Sequence, residues 1–105
     1  MSDTQKYSAS AVALLKADLG YYDSKIPAPV ETDLTNLLEV AYRRLERAGI
    51  QLNVGDLNDD QLQAMYAAWL YRKRRDGSGK PLMLKQEIMD RQVDDALTDD
   101  EEADT

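Results

Sequence analysis

Three stretches of this chain have residue types and spacings that invite chemistry. Arg72-Lys73-Arg74-Arg75 is a run of four cations, the kind of cluster that neutralises phosphates. Asp56-Leu57-Asn58-Asp59-Asp60 sets carboxylate and amide oxygens at alternate positions, as a calcium loop does. Gly77-Ser78-Gly79-Lys80 combines the glycines and the lysine of a phosphate-cradling loop.

Each has a plainer reading. Consecutive helical residues point around most of the helix circumference. The basic run is therefore read first as a helix end favoured by the negative pole of the helix dipole. A contact for acidic side chains of a partner comes second, and a DNA contact third. The acidic stretch has Gln61 where a calcium loop needs glycine and Ala67 where it needs a bidentate glutamate, which leaves a helix cap. In the third stretch the glycine spacing is wrong and the preceding element reads as a helix, so Gly77 and Gly79 are expected to act as a hinge.

The inventory narrows the chemistry further. The chain has no cysteine and no histidine, which excludes disulfides, thiolate nucleophiles, histidine bases and the common zinc ligand sets. Paired carboxylates such as Asp94 with Asp95 sit beside a charged tail, where nothing raises a pKa or excludes water. No catalytic, cofactor or metal site is expected, and the chain is read as a non-enzyme.

With 105 residues the chain is long enough for one domain, whose modest core would gain from assembly. Residues 94 to 105 hold seven acids and no base, which equals the whole net charge of -7. The rest is neutral, with 13 acids against 13 bases. Residues 98–105 are accordingly expected to be a disordered acidic tail. Neither a basic region followed by an apolar core at the start nor a membrane-length apolar run is present in the sequence. The expected setting is a cytoplasm.

The elements that position these residues read as an all-α bundle of about four helices between a mobile arm at 1–7 and the tail. Ser8 or Ser10 caps a first helix through Val12, Leu15 and Leu19, closed by Gly20. Ile26-Pro27-Ala28-Pro29 predicts a loop, and a second helix follows from about Glu31 to Ala48 with an apolar stripe of Leu34, Leu37, Leu38, Ala41, Tyr42, Leu45 and Ala48. Ile50, Leu52 and Val54 predict an extended connector that tucks three apolar side chains inward.

A third helix, Asn58 to Arg75, is expected to start at Asn58 as cap, with Gln61 completing a capping box and Leu57 stapled on Leu62. Its apolar residues Leu62, Met65, Tyr66, Trp69 and Leu70 make it the spine. A fourth helix runs from Pro81 to about Leu97. It has one stripe of Leu82, Met89, Val93 and Leu97 and another of Leu84 and Ile88, so it is expected to bury surface in two directions. Met83 and Met89 suit a core and an interface equally.

In order and spacing, Leu14-Leu-Lys-Ala-Asp-Leu-Gly20, the long second helix, Tyr66-Ala-Ala-Trp-Leu-Tyr-Arg-Lys-Arg-Arg75 and Pro81-Leu-Met-Leu84 with Ile88 and Arg91 resemble the head-to-tail connector (head-completion or adaptor) proteins of tailed bacteriophages. The resemblance covers roughly residues 10 to 93, and the arm, the proline loop and the acidic tail lie outside it. It implies a virion protein assembled in the host cytoplasm as a ring of identical copies beneath the capsid portal, at the head-tail junction. Such a ring extends the DNA channel without reading DNA sequence and offers a platform to the next tail or stopper protein. The interface toward portal or neighbouring copy is expected at Arg72, Arg74, Arg75, Pro81, Leu82, Met83, Leu84, Ile88, Met89 and Arg91. A rival reading is a small helical regulatory module, monomeric or dimeric, that binds a protein.

Overall fold

The helix that buries residues around most of its circumference, rather than along one stripe, lies at the centre. The structure, a computed structural model, describes residues 6–21, 27–77 and 79–104, with side chains described as far as residue 93. Four helices occur among the described residues and no strand does: α1 (Ala9–Asp18), α2 (Ala28–Arg47), α3 (Leu57–Asp76) and α4 (Leu82–Asp104). α1 and α2 both pack on α3 and touch each other less, and α4 lies along α3 as an outer layer.

α3 buries residues around most of its circumference: Leu62, Ala64, Tyr66, Ala67, Ala68 and Trp69. The alanines let two helices approach closely, while Tyr66 and Trp69 meet edge to face with ring centroids 5.3 Å apart. α1 contributes Ala11 and Leu15, and α2 contributes Leu34, Leu37, Leu38, Ala41 and Leu45 at helical spacing. Ser8 is the cap of α1, its Oγ accepting from Ala11 N at 3.0 Å.

The structure corrects several boundaries. α2 begins at Ala28 rather than near Glu31, because a proline in the first turn lacks only an N–H that has no intrahelical acceptor there. Ala48, expected as the last residue of the stripe, instead caps the end of α2 and is exposed. The cap of α3 lies two residues earlier than expected, at Asp56, whose Oδ1 accepts from Asn58 N and Asp59 N. Leu57 is 64% exposed and staples nothing. Of the connector, Ile50 and Leu52 are buried as expected, whereas Val54 sits on an exposed turn.

α4 continues to Asp104 instead of stopping near Leu97, since no proline or glycine follows Pro81 and Ala96, Leu97, Glu101, Glu102 and Ala103 are good helix formers. At the other terminus, Lys6 and Tyr7 of the expected arm are anchored. Lys6 Nζ lies 5.0 Å from the Tyr42 ring centroid, and Tyr7 packs against the core. Residues 1 to 5 lie outside the described residues.

Candidate docking helix and the carboxylate node beneath it

α4 has one face committed to the domain. Leu84 is fully buried and Ile88 packs on the core beside it. Further along, the Arg91 guanidinium pairs with Asp59 and its Nη2 donates to Gln51 O at 3.5 Å, while Gln92 Nε2 donates to Ala48 O at 2.8 Å. One apolar plug and two polar clasps therefore hold the helix against α3 and the end of α2.

The opposite face holds the other stripe. Leu82, Met83, Met89 and Val93 are 69%, 72%, 62% and 57% exposed. Helical spacing explains the split: Leu84 and Ile88 are four apart on one side, and Leu82, Met89 and Val93 recur at seven and four on the other. Together with Leu57 these residues contribute most of the exposed large apolar side chains described.

The clasp at Arg91 belongs to a buried node that the sequence reading missed. Asp59 is 5% exposed and Asp60 fully buried, whereas the sequence suggests only a helix cap for this stretch. Asp59 Oδ2 accepts from Asn53 N at 2.8 Å; Asp60 Oδ1 accepts from Gly55 N at 3.1 Å and its Oδ2 from Ser8 Oγ at 2.7 Å. One turn on, Gln63 Nε2 donates to Lys6 O at 2.7 Å and Leu38 O at 2.9 Å. Four segments thus meet at three polar side chains in the first turns of α3. A signal was present: Asp56, Asp59 and Asp60 are more acids than one cap needs, and Gln63 lies on the same helical stripe as Tyr66.

The basic run is distributed around the end of α3. Arg72 Nη2 donates to Asp18 O at 2.9 Å and to Asp18 Oδ1 at 3.1 Å, tying down the end of α1. Arg74 forms a two-pronged pair with Asp33, at 2.6 and 3.2 Å, tying down the start of α2. That pairing holds the Asp33 carboxyl below its ordinary value and raises Arg74. Arg74 and Arg75 lie 5.7 and 5.8 Å from the Tyr71 ring centroid. The Tyr71 hydroxyl shares a 3.4 Å contact with that of Tyr21, which lowers the Tyr71 pKa and raises that of Tyr21. Lys73 and Lys80 converge on Trp69 at 5.1 and 5.2 Å.

The expected interface residues therefore divide. Pro81, Leu82, Met83 and Met89 are exposed, as is Arg75. Leu84 and Ile88 face inward, and Arg72, Arg74 and Arg91 make ion pairs within the chain, Arg72 and Arg74 at exposed positions. Gly77 takes a left-handed φ of 73° and its N–H donates to Lys73 O at 2.7 Å, closing α3. Ser78 of the expected hinge lies outside the described residues.

Among the described residues no cluster of carboxylates has the geometry to hold a metal ion, and no helix is long and apolar enough to cross a membrane. The chain matches no family model, no curated protein and no solved structure.

Proposed function

We propose that this chain is a structural adaptor of a tailed-phage virion, a ring of identical copies between the capsid portal and the tail that extends the DNA channel. The observation that carries this reading is the two-faced α4, anchored by Leu84, Ile88 and Arg91 and exposing Leu82, Met83, Met89 and Val93. An exposed apolar stripe along a helix is costly to leave in water and suits a protein contact. The motif resemblance from Leu14 to Arg91 supplies the kind of partner, a portal protein. In this reading the task is mechanical rather than chemical.

The test uses point substitutions, because deleting residues 81–97 would strip Leu84 from the core. Leu82→Asp and Met89→Asp are expected to leave the thermal midpoint nearly unchanged, as exposed substitutions usually do, and to weaken co-sedimentation with portal rings at least about tenfold. A wild-type monomer indifferent to portal rings would favour a regulatory binding module instead.

A further inference from the structure

The four helices give the molecule two unlike ends. At one end lie the C-terminus of α3, the start of α2 and the end of α1, joined by Arg72 to Asp18 and Arg74 to Asp33. At the other lie the start of α3, the end of α2 and the middle of α4, joined by Arg91 to Asp59 and Gln92 to Ala48. The 20 residues of α3 separate these ends by about 30 Å.

The first end is basic. Lys73, Arg75 and Lys80 have no ion pair among the described residues. Each is held against an aromatic ring: Lys73 and Lys80 on Trp69, Lys80 also on Tyr66 at 5.5 Å, and Arg75 on Tyr71. Cations held in place lose less side-chain entropy when they bind an anion than free ones do.

The other end continues into acid. α4 runs antiparallel to α3, from Lys80 over Trp69 to Arg91 at Asp59, and Gln92 makes its last described side-chain contact. The helix then carries on to Asp104, about 18 Å further along the same line. Residues 94–105 contain seven acids and no base. A straight helix leaving this end cannot return to the basic end of its own chain.

We infer that the acidic end of α4 docks on the Lys73, Arg75 and Lys80 end of a second copy, a head-to-tail contact between identical chains. A head-to-tail contact of this kind is heterologous, and it closes a ring when the rotation between copies permits. This names the subunit contact of the proposed ring and rests on that reading.

Charge exchange tests it on the full chain. Wild-type protein is expected to self-associate in about 20 mM salt, and its dissociation constant should rise at least about tenfold in about 300 mM salt, as screening shortens the reach of the charges. The triple variant Lys73→Glu, Arg75→Glu, Lys80→Glu and the quadruple variant Asp94→Lys, Asp95→Lys, Asp99→Lys, Asp100→Lys should each be monomeric by analytical ultracentrifugation. Mixed together they should co-assemble, because each supplies the charge the other lacks. Circular dichroism melts check that both remain folded.

A wild-type chain that stays monomeric at low salt overturns the inference, as does a mixture that fails to assemble. So does assembly that survives the triple variant but is lost on charge reversal of the exposed Arg43, Arg44 and Arg47 of α2. Binding to portal rings is read separately. Salt-sensitive, variant-sensitive assembly without portal binding would remove the adaptor reading and keep the contact. Portal-bound rings indifferent to these charges would do the reverse.

Discussion

Asp60 shows how much one buried carboxylate can organise. Fully enclosed, it accepts hydrogen bonds from Ser8 and Gly55 and so fixes the entry to α1 and the turn before α3. Asp60→Ala would leave a hydroxyl and an N–H without a partner, and a lost stability of about 2–4 kcal/mol is expected in urea unfolding. That is a large part of what a domain of this size has. The Asp33–Arg74 pair is different, because it is solvated. Its measured worth should be at most about 1 kcal/mol, comparing Asp33→Asn with wild type, and less in high salt. Since pairing lowers the Asp33 pKa in the folded state, its contribution is present above the ordinary carboxylate range and lost as pH falls through the folded value. The difference between wild type and Asp33→Asn should therefore vanish in acid unfolding midpoints. At this scale the sequence was only partly legible. The aromatic and aliphatic core was evident from residue type, whereas Asp59, Asp60 and Gln63 looked like ordinary helix-start residues until the loop and Ser8 came round to meet them.

The elements were more readable than the contacts between them. Apolar recurrence at three and four residues identified all four helices, and glycines marked the ends of α1, α2 and α3, because Gly20, Gly49 and Gly77 take positive φ. The boundaries failed where two local signals competed. Asp56 and Asn58 were both competent caps, and the choice of Asp56 freed Asp59 and Asp60 to turn inward. α4 is the element whose attachment is most open to measurement. Leu84→Ala should cost about 2–4 kcal/mol and loosen the helix, since Leu84 is the one fully buried side chain among the described residues of α4. Amide exchange should be faster in α4 than in α3, where burial surrounds the helix. Gly77→Ala is expected to cost about 1 kcal/mol in thermal unfolding, because an L-residue pays for the left-handed conformation that closes α3.

At the scale of the whole molecule, the arrangement is a three-helix body with a fourth helix clasped outside it, basic at one end and extended by an acidic helix at the other. Copies of such a body aligned head to tail bring each acidic end onto the next basic end. Electron microscopy of wild-type protein at low salt should accordingly find rings or head-to-tail arcs rather than closed dimers. The sequence by itself determined the all-α class, the central place of α3, the two stripes of α4 and the separation of charge between body and tail. These follow from residue type and period, which are local. Only the tertiary structure decided which stripe of α4 is spent on the domain, that Arg72, Arg74 and Arg91 are bound within the chain, and that Asp59 and Asp60 form its buried node. Those outcomes depend on which segments meet, and partners 32 to 54 residues apart in sequence are brought together only when the helices pack.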